Sequence, residues 1–230
     1  METRTMRTRL LLGDEGVAKL QRAKVMVVGC GAVGSYAIEA LARAGVGHIK
    51  LVDFDTVSIS NINRQLFALN STVGQKKTEV AKSRIKDISS DILVDVYDVF
   101  LDEKNANDIF VDVDYVIDAI DSKDSKIVLY QVCQDKGIPF ISSMGAALRL
   151  SADKIKISSM KKTSVCPLAG NLRPLCKKKG ISMDFPVVYS TEQPAKGSLG
   201  HRQMGSLSTV PAIFGLMMAH FVIKKIVGLE

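Results

Sequence analysis

The feature that most constrains this chain is a glycine-punctuated turn set between an apolar run and a helical one. Residues 24–29 form a short, valine-rich apolar stretch that leads into Gly29-Cys30-Gly31-Ala32-Val33-Gly34. From Gly31 to about Ala44 the apolar residues recur at helical spacing. Gly29, Gly31 and Gly34 thus carry the spacing G-x-G-x-x-G in the strand–turn–helix context that gives the pattern its meaning. The first glycine permits the tight turn. The second lets phosphates approach the backbone, and the helix start offers unpaired N–H groups to an anion. Such an opening directs the chain toward a nucleotide-binding α/β fold.

The remaining patterning agrees. Apolar runs at 48–53, 92–99, 114–120 and 139–142 read as strands, and 75–88 and 125–134 read as helices between them. Alternating strands and helices predict a doubly wound, mostly parallel Rossmann-like sheet. With 230 residues, 47% of them hydrophobic, the chain is expected to form one domain over 1–230. After Ser151 the rhythm changes. Residues 154–158 and 186–189 read as two more strands, and 160–182, with two prolines, two cysteines and many lysines, as an irregular, mobile crossover. Residues 191–208 are rich in glycine and serine. The apolar run 210–227 is short for a membrane span and is interrupted by His220, Lys224 and Lys225, so it reads as a buried C-terminal helix and no membrane is expected.

The net charge of +7 permits nucleic-acid binding. The excess concentrates in residues 154–180, which hold Lys154, Lys156, Lys161, Lys162, Arg173, Lys177, Lys178 and Lys179 and no acid. On charge alone a solvated loop fits this stretch as well as a binding surface. The four cysteines, Cys30, Cys133, Cys166 and Cys176, form no Cys-x-x-Cys pair, so neither a zinc ribbon nor a disulfide framework is expected, and a reducing cytoplasm is. The arginine-rich residues 1–13 lack the apolar stretch of a signal peptide.

Asp53 closes the second strand at the position where an acid accepts hydrogen bonds from ribose hydroxyls, with Asp55 beside it as a cap. These features alone suit an NAD-dependent dehydrogenase equally well. Ser60-Asn61-Ile62-Asn63-Arg64-Gln65 breaks the tie. An arginine and paired amides just after the ribose acid balance charge along a triphosphate. Lys77, at the start of the next helix, is in reach of phosphates, although a lone lysine is more often a solvated surface residue. Asp118-Ala119-Ile120-Asp121-Ser122 ends the fourth strand on the ligand-facing edge. Asp121 is placed for Mg²⁺, which takes carboxylate, phosphate oxygens and water. Asp118, partly inside the strand, reads at least as well as a structural acceptor. His48, His201 and His220 are scattered, so no general base stands near these elements. That suits adenylation, in which a carboxylate already nucleophilic at neutral pH attacks the α-phosphate of ATP. Lysines near Cys166 and Cys176 would lower a thiol pKa, yet no partner base is evident, and adventitious thiols are the simpler reading.

Taken together, Arg7 and Gly13, the glycine turn, Asp53-Phe54-Asp55, residues 60–65, Lys77 and Asp121 resemble the superfamily of ubiquitin-activating-type adenylating enzymes over residues 7–215. Within it the chain is similar to the tRNA threonylcarbamoyladenosine dehydratase (cyclase) branch, through Asn61-Ile62-Asn63-Arg64-Gln65-Leu66, residues 117–122, Ser190-Thr191-Glu192 and residues 205–215. Members that activate sulfur carriers usually hold two zinc-binding Cys-x-x-Cys pairs, absent here, and commonly carry asparagine where this chain has Ser122. The resemblance implies an ATP-dependent enzyme that adenylates the carboxylate of threonylcarbamoyladenosine beside the tRNA anticodon and closes a ring, losing one water. It implies that Gly29, Gly31, Gly34, Asp53, Asp55, Asn61, Asn63, Arg64, Lys77, Asp121 and Ser122 bind ATP and that Asp121 holds Mg²⁺. Arg7, Arg64, Lys77 and Asp121 would act in catalysis, Arg7 on the partner subunit's ATP in a homodimer. Lys161, Lys162, Arg173, Lys177, Lys178 and Lys179 would contact tRNA. Activation of a small sulfur-acceptor protein, or nucleotide-dependent partnership with a cysteine desulfurase, are the alternatives.

Overall fold

A computed structural model describes residues 3–195 and 204–229; His201 and the middle of the glycine- and serine-rich run lie outside them. Seven strands form one sheet: β1 (Lys24–Val28), β2 (His48–Val52), β3 (Leu93–Tyr97), β4 (Tyr115–Asp118), β5 (Phe140–Ser143), β6 (Ile155–Ser159) and β7 (Pro186–Ser190). Their spatial order is β3-β2-β1-β4-β5-β7-β6. All neighbours are parallel except β6 and β7, which are antiparallel. Val25, Met26 and Val27 of β1 are wholly buried, as a central strand covered on both faces must be.

The helices are α1 (Met6–Arg22), α2 (Gly34–Ala44), α3 (Lys77–Ile88), α4 (Ala106–Ile109), α5 (Lys123–Asp135), α6 (Pro167–Lys178) and α7 (Thr209–Val227). Helix α7 is long and apolar enough to cross a membrane, but Val210, Phe214, Met218 and Val222 are buried in the core, where α7 packs on α2, β5 and β4. Its contact with α2 is backbone-close: a Cβ added at Gly215 would lie 2.2 Å from the Val33 carbonyl oxygen. The C-terminal helix expected from the sequence is therefore part of the fold.

One expectation is corrected. Residues 160–182 do not form an irregular crossover. A short 3₁₀ turn (Met160–Lys162) leads into α6, which starts with Pro167 in the first turn, where its missing N–H costs nothing. Ala169, Leu172 and Cys176 recur at helical spacing and are buried with Met160 against α5. Pro174 and the lysines hid that stripe. Most of the arginine-rich start belongs to α1, which kinks at Gly13 (φ 71°) and packs Val17 and Leu20 into the molecule.

Candidate active site

The strand order reverses beside β1, whose neighbours are β2 and β4, so the chains leaving their C-terminal ends diverge and leave a crevice. A cavity of about 780 Å³ occupies it. Its walls include Gly29, Gly31, Asp53, Asp55, Arg64, Lys77, Asp121 and Ser122. Eight of the residues singled out from the sequence thus meet in one place.

The glycine turn is shaped by its contacts. Gly29 has φ 94°, donates to the Val52 carbonyl at 2.8 Å, and has no room for a side chain, since a Cβ would lie 2.6 Å from the Ala119 oxygen. A Cβ on Gly34 would fall 1.7 Å from the Gly29 oxygen, so this glycine lets α2 start against the turn and lies behind the cavity wall. A Cβ built on Gly31 would meet no protein atom closer than the Gln65 amide nitrogen at 3.7 Å, so the side-chain position of this residue is open.

Asp53 braces this turn. One carboxylate oxygen accepts the Cys30 N–H at 2.6 Å and the other the Asp55 N–H at 2.9 Å. Lys77, only 7% exposed, donates to Asp55 at 2.7 Å. Arg64 donates to the Ser60 carbonyl at 2.7 Å and to the Asn63 side-chain oxygen at 2.9 Å. Asn63 in turn donates to the Ser206 carbonyl at 3.1 Å. Asn61 is buried and accepts the Ser58 N–H at 3.1 Å. Neither amide is on the cavity wall, so both stand in this structure as supports of the Arg64 loop. Phe54 and Phe100, edge to face with centroids 5.0 Å apart, add an aromatic wall.

Asp121 is exposed on the turn after β4, and no ion pair involving it is found among the described residues. Ser122 caps α5 by accepting the Ser125 N–H at 3.4 Å. Asp118 is the structural acceptor: its carboxylate is fully buried, takes the Ile120 N–H at 3.1 Å, and pairs with the equally buried Lys126 at 2.7 Å. Lys126 escaped sequence reading because a lysine in α5 looks like a surface residue. Burial, with the Asp118 charge next, pushes the nearby Tyr130 hydroxyl well above its ordinary pKa. Arg149, also unforeseen, lies beyond β5 on the cavity wall. The rule that ligands meet the C-terminal ends of strands pointed to its loop.

The remaining expected residues are elsewhere. Arg7 is exposed on α1 and is not on the cavity wall. Lys161 pairs with Asp184 and Lys179 with Glu103, while Arg173 donates to the Thr163 hydroxyl at 2.6 Å. Lys162, Lys177 and Lys178 are exposed. All four cysteines are free and buried. Burial raises the Cys176 thiol pKa, overriding the lowering expected from its lysine neighbours.

The ThiF family's sequence pattern matches residues 3–230. The chain belongs to the ThiF family. It is 39% identical over 236 residues to the tRNA threonylcarbamoyladenosine dehydratase of Bacillus subtilis, covering 96% of this chain and 93% of that one. Against the Escherichia coli enzyme of that name it is 40% identical over 194 residues, 84% of this chain and 69% of the other. The crystal structure of the Escherichia coli tRNA N6-threonylcarbamoyladenosine dehydratase in complex with ATP superimposes with TM-score 0.91 at 34% identity, covering 98% of this ThiF-family chain and 94% of that chain. The same enzyme in complex with AMP gives TM-score 0.91 at 35% identity, covering 96% and 93%.

Proposed function

We propose that this ThiF-family chain is an ATP-dependent tRNA cyclase that dehydrates threonylcarbamoyladenosine. The observation that carries the reading is the near-complete likeness to a dehydratase captured with ATP, joined to a cavity whose wall supplies cations and no histidine among the described residues. ATP, a co-substrate here, fits the wall: the glycine turn and the α2 N-terminus for phosphates, Asp53 for ribose, Phe54 and Phe100 for apolar contact. Asp121 would hold Mg²⁺. The fit is sound, because a single exposed carboxylate suits an ion that keeps phosphate oxygens and water as its other ligands. Such an ion would neutralise charge on the departing pyrophosphate.

The chemistry needs little from the protein beyond placement. A carboxylate oxygen of the threonylcarbamoyl group bonds to the α-phosphorus, and the bond from that phosphorus to the bridging oxygen breaks, releasing pyrophosphate. Arg64 and Lys77 stabilise that charge. A nucleophile within the same modification then attacks the activated carbonyl carbon, giving up its proton as AMP departs with the former carboxylate oxygen. The substrate has lost one water. Arg7 would serve the partner subunit's ATP in a homodimer, a role supported by its exposed place beside Leu10 and Leu11, which are 74% and 83% exposed. Lys161, Lys162, Arg173, Lys177, Lys178 and Lys179 would face tRNA, with Lys162, Lys177 and Lys178 the most available. Buried free thiols fit a cytoplasmic setting and weaken the reading of a sulfur-acceptor or cysteine desulfurase partnership through Cys166 or Cys176.

The test is mass spectrometry of nucleosides from tRNA carrying threonylcarbamoyladenosine, incubated with the protein and ATP. A product lighter by one water, formed with AMP and pyrophosphate, is expected. AMP release only on adding a carrier protein ending in Gly-Gly would support the alternative instead.

A further inference from the structure

Arg149 is only 2% exposed, yet its Nε and Nη1 find no acceptor among the described residues. The loop that carries it is fixed. Leu148 holds a strained φ of 58°, donates to the Gly205 carbonyl at 3.0 Å and accepts the Ala195 N–H at 2.8 Å. Glu192, an acid that feels the Arg149 charge, spends its carboxylate on the Leu150 and Ser151 N–H groups, both at 3.0 Å. Those bonds, that from Ser151 first, hold the Glu192 carboxyl below its ordinary pKa; the Arg149 charge adds to this, but the two form no ion pair. A guanidinium cannot shed its proton, and burying one without an acceptor is costly. No described residue supplies that acceptor, and the cavity that Arg149 lines has room for a ligand that does.

The strand order identifies that ligand. Along β2, β1, β4 and β5 the wall presents Asp53, the glycine turn, Asp121 and then Arg149, so Arg149 stands on the side away from the ribose acid. The polyphosphate already has Arg64 and Lys77. Resting on the proposed tRNA activity, we propose that Arg149 binds the carboxylate of the threonylcarbamoyl group and aims it at the α-phosphorus. A planar fork of N–H donors suits a carboxylate in two-point contact better than an ammonium does.

Equilibrium binding to tRNA with and without the modification, in the presence of an ATP analogue that resists cleavage between the α- and β-phosphorus, tests this with wild type, Arg149→Met and Arg149→Lys. Wild type should prefer the modified tRNA. Arg149→Met should lose that preference by about tenfold to a hundredfold, the scale of a hydrogen bond to a charged group, and Arg149→Lys should regain part of it. Affinity for unmodified tRNA and for the ATP analogue should not change, and Arg149→Met should melt no lower than wild type without substrate. An undiminished preference in Arg149→Met overturns the assignment. So does an equal loss on unmodified tRNA, which would mean a backbone phosphate contact, a loss of nucleotide affinity, which would mean a polyphosphate contact, or a lower melting temperature, which would mean a structural role. If wild type neither prefers nor converts the modified tRNA, the activity reading itself falls and takes this one with it; conversion by wild type with Arg149→Met unaltered sinks Arg149 alone.

Discussion

Replacing Lys126 by methionine should destabilise the protein more than almost any other change that preserves side-chain volume. The Lys126 ammonium is wholly buried and donates to Asp118 at 2.7 Å, to the Ser143 carbonyl at 2.8 Å and to the Ser142 hydroxyl at 3.3 Å. Methionine fills the stem's space but leaves the Asp118 carboxylate buried with only the Ser142 hydroxyl at 2.5 Å and the Ile120 N–H at 3.1 Å. Stranding one member of a buried pair costs about 3–5 kcal/mol. For a chain of this size that corresponds to roughly 6–20 °C in melting temperature, at about 2–4 °C per kcal/mol. The double change Lys126→Met with Asp118→Asn removes both charges and should cost much less than the single change, a coupling that urea unfolding followed by circular dichroism would read. Turnover should fall as well, because Asp118 holds the Ile120 N–H one residue before Asp121. A loss below about 1 kcal/mol in the single variant, or a double variant as unstable as the sum of the singles, would refute the reasoning.

Arg64→Ala or Asp121→Ala should cut ATP-dependent turnover by roughly a hundredfold or more, the scale of losing one electrostatic stabiliser, with unchanged circular dichroism; near-normal turnover in a folded variant removes that residue from the mechanism. Mixing inactive Arg7→Ala with inactive Asp121→Ala subunits should restore part of the activity, since one hybrid site would be complete; no recovery despite proven exchange means that Arg7 acts on its own subunit. Changing Lys177 and Lys178 to glutamine should flatten the log–log salt dependence of tRNA affinity by about 1.4, at roughly 0.7 per phosphate contact. Lys161 and Lys179, already paired with Asp184 and Glu103, should matter less. An unaltered slope would place the tRNA surface elsewhere.

The nucleotide half of the fold was legible because its signals are local. A valine-rich strand, a glycine turn whose close contacts leave no space for Cβ at Gly29 and Gly34, and an acid at the next strand end all act over short sequence separations. The second half was harder to read. The α6 stripe of Ala169, Leu172 and Cys176 is short, split by Pro174 and outnumbered by lysines, so periodicity lost to composition. Helix α1 was missed for the same reason, its arginines masking Val17 and Leu20. Lys126 and Arg149 were illegible in a different sense. Nothing in a lysine or an arginine announces burial; only the long-range pairing of β4 with β5, and of the loop after β5 with Glu192, puts them inside.

The charges of the cavity wall explain why one sheet edge can serve ATP rather than a dinucleotide. Asp53 is spent on two backbone N–H groups, so it orients and does not act as a base. Lys77 is balanced by Asp55 at 2.7 Å, and Arg64 is held between the Ser60 carbonyl and Asn63. Both cations are thus fixed by the protein; in the proposed reaction neither would have to reorganise when charge moves to the departing pyrophosphate, the condition under which electrostatic stabilisation is most effective. A hydride acceptor would gain nothing from them. The same comparison separates Arg149 from the other two: Lys77 has an acid and Arg64 has carbonyl oxygens, whereas Arg149 has neither at its Nε and Nη1. Among the wall's cations it is the one whose burial the described residues do not offset, which is the observation behind seeking its partner on the substrate.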